Sequence, residues 1–321
     1  MNKIRRKLLL YLSTIFFILI TPITIAYALG YTFDWVSKKP VLTGNLYVYS
    51  IPEKATVSVN NKPREAKTPL FVRRLKPNYY HIEVGKEGYQ TWQKDIEIKS
   101  RLITEFKDVL LIPITPKIEI LDNNLPINFS LVNYLNDNTD KPNNLYYFKN
   151  DILYKTDSTG LKNQQISLNP LPENNDYKIF APKENKIAVL NNFDLYILDS
   201  DTRNFDFIAN KVNFLEFSGD KEKILYTTNN EIWVYYFFNK EKELITRSSQ
   251  NIEHAFWHTQ TDKHIIFVVD SLIKIIELDN RNKRNTFNIF ESPVEQITYN
   301  QEDNAICWTT ENKLLSISMD K

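Results

Sequence analysis

Residues 217–226 read Phe217-Ser218-Gly219-Asp220-Lys221-Glu222-Lys223-Ile224-Leu225-Tyr226: an aromatic, a polar turn and an apolar run. The pattern appears three more times. Phe180-Ala181-Pro182-Lys183-Glu184-Asn185-Lys186-Ile187-Ala188-Val189 precedes it, and Trp257-His258-Thr259-Gln260-Thr261-Asp262-Lys263-His264-Ile265-Ile266-Phe267 follows with one added residue. Tyr299-Asn300-Gln301-Glu302-Asp303-Asn304-Ala305-Ile306-Cys307-Trp308 comes last. The anchoring aromatics are 37, 40 and 42 residues apart, and self-similarity at a period of ~40–45 residues marks stacked units of four strands. From each copy a polar turn leads to a third strand: Leu195-Tyr196-Ile197-Leu198, Ile232-Trp233-Val234-Tyr235, Ile273-Lys274-Ile275-Ile276 or Lys313-Leu314-Leu315-Ser316. An acidic or Asn-rich turn then leads to a weaker fourth. With aromatics at 13% and β-branched residues abundant, strand is the expected state.

A more degenerate unit is expected between Ile127 and Leu168, with Leu145-Tyr146-Tyr147-Phe148 and Ile152-Leu153-Tyr154-Lys155 as its middle strands. That makes five. The final unit stops at Lys321 without a fourth strand, while Lys117-Ile118-Glu119-Ile120-Leu121 lies just ahead of the first. Pairing these would satisfy both edges, so the strand near residue 118 is expected to complete the last unit. An open, incomplete ring is the alternative. The units resemble WD-type and Tol-type β-propeller repeats, in which an aromatic-Ser-Pro-Asp-Gly-like turn precedes a strand and a later strand reads Ile-Trp-Val-Tyr. Phe217 to Tyr235 is the best-preserved copy. Most of the glycines are lost, and no copy has a Trp-Asp end or a Gly-His start, so the resemblance addresses architecture and not subfamily.

The chain of 321 residues is long enough for two or more such parts. Its single cysteine, Cys307, excludes an intrachain disulfide and a Cys-rich metal site. Six glycines, of which the closest pair is Gly85 and Gly88 with no Lys-Ser/Thr following, exclude the glycine-rich phosphate loops. A net charge of +1 gives no electrostatic case for nucleic acid.

From Leu8 to Leu29 the chain reads LLLYLSTIFFILITPITIAYAL without a charge; as a helix this spans roughly 33 Å, about one hydrocarbon core. Lys3, Arg5, Arg6 and Lys7 precede it, so the positive-inside bias keeps the N-terminus in the cytoplasm and exports the rest. Beyond residue 7 the bases number 36 against 39 acids, so the net charge of the whole chain averages a basic tip and an acidic exported part. The expected organisation is a cytoplasmic tip (1–7), a single-pass transmembrane helix (8–29), a juxtamembrane linker (30–43) and β domains at 44–113 and 114–321. Residues 30–321 are then extracytoplasmic. Ala26-Tyr27-Ala28 also has the form of a signal-peptide cleavage site, with cleavage after Ala28, but the apolar run of about 18 residues before it exceeds a usual signal core of ~7–15. A buried helix of a soluble domain is the remaining alternative.

Between Gly44 and Pro113, runs at 45–50, 56–59, 79–84, 92–98 and 105–112 alternate with period two, which predicts antiparallel strands joined by tight turns. Asn60-Asn61 and Gly88 fit positive-φ turn positions, and Pro77-Asn78 fits the centre of a β-turn. In order come Pro52-Glu53-Lys54-Ala55, Val57-Ser58-Val59-Asn60-Asn61, Thr68-Pro69, Leu75-Lys76-Pro77-Asn78-Tyr79 and Gly88-Tyr89. This closely resembles the PEGA domain, a small bacterial β-sandwich, and the resemblance implies an extracytoplasmic attachment or recognition role. The pattern's glycines are replaced at Lys54, Asn61 and Asn78, and Lys67 stands where a Gly usually precedes Thr-Pro. Asn tolerates the left-handed region; Lys54 is harder to explain.

Chemistry is sparse. His254 and His258 are four apart, but on a strand this spacing is not a ligand pair, and no third ligand lies nearby. Cys307, between Ile306 and Trp308, reads as buried and inert. Asp199, Asp201 and Asp206, and Asp137 with Asp140, read as acidic turns without calcium-loop spacing. Lys62, Arg64, Lys67, Arg73, Arg74 and Lys76 form a basic stretch near the membrane, either a solvated edge or a contact for anionic lipid or wall polymer. The run Tyr235-Tyr236-Phe237-Phe238 offers a face for a partner or packing between units. Glu216 and Glu295, with Glu253, precede the repeat aromatics at positions read as equivalent, which points to a structural role more than to the paired acids of a hydrolase or lyase. The expectation is an all-β, membrane-anchored binding or scaffold protein of the bacterial envelope, without cofactor, metal, catalytic residues or nucleic-acid partner. An envelope protein or a cell-wall or surface polysaccharide is its expected ligand, and an envelope hydrolase or lyase is the rival reading.

Overall fold

The computed structural model describes every residue except 1–2, 127–128, 132–144, 158, 160, 173–176, 301 and 320–321. The chain divides into two compact units, Met1–Ile112 with Asn280–Lys283, and Pro113–Asp279 with Arg284–Lys321.

The first unit opens with helix α1 (Lys3–Ala28), of which Ile4–Ala28 is long and apolar enough to cross a membrane. From Leu8 onward it carries no charge and most of its side chains are exposed, as in a membrane anchor or a signal peptide. Its serine and threonine hydroxyls bond back to the preceding turn, among them Thr21 Oγ1 to the Phe17 carbonyl at 2.7 Å and Thr14 Oγ1 to that of Leu10 at 2.8 Å.

The stretch expected as a linker is structured. Strands β1 (Tyr31–Asp34) and β2 (Lys39–Leu42) form an antiparallel hairpin whose turn is stabilised by Asp34, which accepts from the Ser37 amide and hydroxyl. Thr43 closes it, donating its amide and hydroxyl to the Gly30 carbonyl at 3.0 and 2.8 Å.

Seven strands follow: β3 (Gly44–Ile51), β4 (Thr56–Val59), β5 (Lys62–Lys67), β6 (Leu70–Leu75), β7 (Asn78–Gly85), β8 (Trp92–Ile98) and β9 (Ile103–Leu110). They make two sheets, ordered β6-β3-β9 and β5-β4-β7-β8. Period-two alternation sends Leu46, Val48, Val57, Val59, Ile82, Val84, Ile96 and Ile98 inward, and Trp92 of one sheet meets Phe106 of the other edge-on at 4.8 Å.

Two expectations are corrected. β3 and β9 pair in parallel, because the chain builds the whole second sheet between them and returns in the same direction. β5 and β6 form where no strand was expected. The β5 sequence Lys-Pro-Arg-Glu-Ala-Lys has no apolar face and is exposed throughout, so its pairing to β4 carries it, not burial.

The second unit, among its described residues, holds five antiparallel sheets in sequence. The first consists of β11 (Tyr146–Lys149), β12 (Ile152–Thr156) and β13 (Asn163–Gln165). The next is β14 (Tyr177–Lys183), β15 (Lys186–Asn191), β16 (Asp194–Asp199) and β17 (Asn204–Ala209). Then come β18 (Phe214–Phe217), β19 (Lys223–Thr227), β20 (Glu231–Tyr236) and β21 (Glu241–Arg247), followed by β22 (Ile252–Trp257), β23 (His264–Val269), β24 (Leu272–Glu277) and β25 (Thr286–Glu291). The last sheet contains β26 (Gln296–Asn300), β27 (Ala305–Thr310) and β28 (Lys313–Ser318), and its outer strand is β10 (Ile118–Asp122), which pairs antiparallel with β28, Ile118 opposite Ile317. Ile127, where the first repeat was expected to begin, lies outside the described residues, as does Gln301 of the last repeat.

Burial explains the repeat pattern. β19 and β23 are buried at every position because neighbouring sheets cover both faces, whereas the third strands alternate. Apolar clusters join successive sheets: Leu153 with Val189, Leu195 with Tyr226, and Leu225 with Trp257. Polar links repeat the arrangement at the turns. Asp262 takes the Gly219 and Asp220 amides, both at 2.8 Å, and Lys186 reaches Glu222 at 2.8 Å. Lys240 reaches Asp199 at 2.9 Å, and Arg284 pairs with Glu243.

Candidate functional site

The motif residues of the sandwich hold its turns. Ala55 is fully buried, and Thr68 clips the β3–β4 connection to the β5–β6 connection. The Thr68 hydroxyl lies 2.6 Å from that of Ser50 and accepts the Ala55 amide at 2.9 Å; its backbone carbonyl accepts the Lys54 amide at 3.0 Å, and its own amide donates to Ala55. Pro52 and Pro69 follow cis peptide bonds. Gly88 has φ +82, and the turn closes with the Tyr89 amide on the Lys86 carbonyl. Tyr80 donates its hydroxyl to the Lys76 carbonyl, just before Pro77. Glu53 turns its carbonyl to Lys86 Nζ at 3.1 Å. Asn60 and Asn61 take φ 50 and 60, and Lys54 sits at φ 64, where the related pattern has glycine.

The six expected basic residues do not form one patch. Lys62, Arg64 and Lys67 lie on β5, the exposed edge of one sheet, while Arg73 and Arg74 lie on β6, the edge of the other. Arg74 packs its guanidinium over the Tyr27 ring and donates to the Tyr27 carbonyl at 3.3 Å. Lys76 is paired with Asp34 at 2.6 Å, and this bond holds the Asp34 carboxyl well below the usual carboxylate range.

Lys67 belongs instead to a grouping that sequence reasoning missed. An open concavity of ≈ 850 Å³ on the β5-β4-β7-β8 sheet is rimmed by Lys54, Lys67 and Lys86. Thr56, Ser58 and Thr91 supply hydroxyls, and Glu83 and Glu87 are its acids. Thr56 and Ser58 face it because Val57 and Val59, alternating with them, face the core. The signal in the sequence was the pair of lysines at glycine positions, but Lys54 lies in the β3–β4 connection and Lys67 at the end of β5, and the pairing of Thr56 with Lys67 together with the Thr68 clip brings them together.

In the second unit, the carboxyl groups read as equivalent are not. Across the ladder Glu216 opposes Leu225 and Phe217 opposes Ile224, while Tyr299 opposes Ile306. The position matching Glu216 is therefore Thr298 in the last sheet and Phe256 in the one before, since Phe256 opposes Ile266 and Trp257 opposes Ile265. Glu295 and Glu253 lie three residues earlier in the pattern and are exposed. Glu216 links sheets: its carboxylate accepts the Trp257 amide at 3.0 Å and its carbonyl accepts Trp257 Nε1 at 3.2 Å. Burial pushes its carboxyl up to about 7.

His258 is fully buried, and its neighbour is His264 and not His254, with ring centroids 6.0 Å apart and Thr261 between them at 3.0 Å from each Nδ1. Burial pushes the His258 imidazole down to about 4 and lowers His254 as well. Cys307 is buried in β27 and its thiol is pushed up to about 11 by burial. Asp199 caps its turn through the Asp201 amide at 2.9 Å, but Asp206 is on β17 and not in that turn. Asp137 and Asp140 lie outside the described residues. In the aromatic run Tyr235 is buried and Phe237 stacks on Phe217 at 5.9 Å, leaving only Phe238 exposed, so the run packs within the unit.

Residues 43–110 match the family model of the PEGA domain. A search of curated proteins finds no match. Among solved structures, the chain is similar to the extracellular domain of a hybrid two-component system from B. thetaiotaomicron, at 11% identity over 54% of this chain and 27% of that one, TM-score 0.39. It is similar to the β-propeller domain of Myceliophteria thermophila Cps50, at 10% identity over 44% and 50%, TM-score 0.35. A third is an oligogalacturonate lyase in complex with manganese, at 10% identity over 74% and 73%, TM-score 0.40. The chain spans half or less of the length of the first two.

Proposed function

We propose that this chain is a membrane-anchored, non-enzymatic binding or scaffold protein of the bacterial cell envelope. In this reading α1 is retained as a single-pass anchor with its N-terminus in the cytoplasm, and residues 30–321 are extracytoplasmic. The PEGA-matching sandwich stands next to the membrane. The second unit is a five-bladed β-propeller whose last blade is closed by β10 on β28, and the ectodomain binds an envelope protein or a surface or cell-wall glycan. The observation that carries the reading is the order of parts: four bases, an apolar helix of membrane length and, fifteen residues on, a PEGA domain at 43–110. Support for a binding and not a catalytic role comes from Glu216, whose carboxylate is occupied by the Trp257 amide and has no acidic counterpart in the matching positions.

Protease added to intact cells is expected to degrade epitopes placed beyond residue 40 while sparing an N-terminal tag. Complete protection of the ectodomain would overturn the topology, and release of a species starting at Leu29 would replace the anchor with a cleaved signal.

A further inference from the structure

The concavity of the sandwich assembles two ammonium groups that the fold leaves unpaired, beside Lys86 and Glu83, which it holds in place. Lys54 occupies the left-handed region at φ 64, a conformation that a lysine resists and glycine does not. Among the described residues, neither the Lys54 nor the Lys67 ammonium has an ion-pair or hydrogen-bond partner. Lys86 is held in place at the third corner by the Glu53 carbonyl and the Tyr89 ring. Between these ammonium groups the surface is hydroxylic, and Gly85 leaves it open, its nearest neighbour to a side chain being Thr91 at 3.7 Å.

We propose that this concavity binds an anionic, hydroxyl-rich polymer of the cell surface. The ammonium groups of Lys54, Lys67 and Lys86 take its phosphate or carboxylate charges, and the hydroxyls of Thr56, Ser58 and Thr91 take its hydroxyl groups. The proposal rests on the sandwich being extracytoplasmic and names the ligand class for that reading.

Three features select this class. The lining has no apolar side chain, which disfavours an acyl chain or an apolar peptide face. It has no arginine, so recognition proceeds by point charge and not by the bidentate fork that a single fixed carboxylate favours; point charges tolerate the varied geometry of charges repeated along a flexible polymer. Glu83 and Glu87 accept hydrogen bonds from polyol or sugar hydroxyls and repel a compact, highly charged ion such as inorganic phosphate.

The test uses the full-length chain in neutral-lipid nanodiscs, titrated calorimetrically with a glycerol-phosphate oligomer, an alginate oligomer, neutral dextran and inorganic phosphate. At least one anionic oligomer is expected to bind, and which one does so identifies the charge. Lys54→Gly with Lys67→Gln is expected to weaken that binding by about tenfold or more, while Lys62→Gln with Arg64→Gln on the same edge changes it by less than about threefold. Because glycine relieves the backbone at position 54, a melting transition no lower than that of the parent checks that the first pair still folds. Equal losses in both pairs, dextran binding as well as the anions, or saturation by inorganic phosphate at the same concentration would each overturn the site. Binding only to phosphatidylglycerol vesicles would overturn it too, assigning the lysines to a membrane surface. Absence of binding by any probe removes the ligand class but leaves the anchor and topology standing, since protease accessibility decides those separately.

Discussion

The two β units place charge in opposite ways. In the sandwich the ionisable groups lie mostly outside the core: the basic edge strand β5 is exposed along its length, and His81, on the outer face of β7, is raised by its bond to Asp95, while Lys94 is the buried exception, its ammonium over the Trp92 ring. In the repeat unit they penetrate between sheets, where burial raises Glu216 and lowers His258. The difference follows from geometry. A sandwich of two sheets has one interior, and each strand keeps a solvent face for its polar residues. A series of sheets stacked on one another covers both faces of its inner strands, so polar groups between the sheets, such as the Glu216 carboxylate on β18, are satisfied by the next sheet. The contrast predicts that the units respond to different perturbations.

The largest effect is expected at Gly44. A Cβ there meets the Lys99 carbonyl oxygen, which belongs to the backbone, and lies 2.7 Å from Ile98 Cγ2, so neither neighbour yields without moving β8. Gly44→Ala is expected to destabilise the sandwich by ~3 kcal/mol or more. In calorimetry the repeat unit's transition should stay where it was; a joint shift of both transitions would mean that the units do not unfold independently.

How much of this was legible depended on whether a residue reported its own environment. The third strands of the repeats were readable because Ile232, Val234 and Tyr235 carry burial in their alternation and composition. β10 was readable from a different clue, a missing partner at the end of the last repeat. β5 was not, because nothing in Lys62 to Lys67 is buried and its strand state comes entirely from β4. The parallel pairing of β3 with β9 was hidden for a related reason: alternation fixes which face is inward but not which neighbour lies alongside. At the candidate site, Lys67 was singled out as part of a linear basic stretch, whereas the fold groups it with Lys54 and Lys86 and leaves Arg74 and Lys76 engaged with Tyr27 and Asp34. The left-handed turns also explain the scarcity of glycine. Asn60, Asn61, Asn192, Asn304 and Asn312 take positive φ, and so do Lys54, Lys211, Lys221 and Lys240.

A middle-sized effect separates the units by pH. Glu216 is raised from its ordinary value to about 7, so the stability associated with it is fully present below pH ~4.5 and is lost as pH rises through 7. Glu216→Gln keeps an acceptor for the Trp257 amide and removes the buried charge. At pH 8 it is expected to stabilise the repeat unit by about 2 kcal/mol, and at pH 4.5 to change it little. His258 works in the other direction, since its lowered value makes stability intact above pH ~6.5 and lost as pH falls through 4. A variant that gained equally at both pH values would show that the Glu216 charge is not what sets the two regions apart.

The smallest effect compares like with like across the units. Lys54 in the sandwich and Lys211 in the repeat unit both hold positive φ, 64 and 56. Left-handed backbone costs a non-glycine residue roughly 1–2 kcal/mol, while glycine costs about 0.5–1 kcal/mol more entropy on folding. Lys54→Gly and Lys211→Gly are therefore each expected to stabilise their own unit by no more than about 1 kcal/mol, read as a small upward shift of the corresponding melting transition. If both gain, backbone stability favours glycine at both positions and does not explain a lysine at either. The two then differ only in surroundings: Lys54 opens onto the hydroxyl-lined concavity with Lys67 and Lys86, and Lys211 does not. Loss of anionic-oligomer binding with Lys54→Gly but not with Lys211→Gly would tie the strained lysine to a ligand, and parallel behaviour in binding would reduce it to one more turn in a glycine-poor chain.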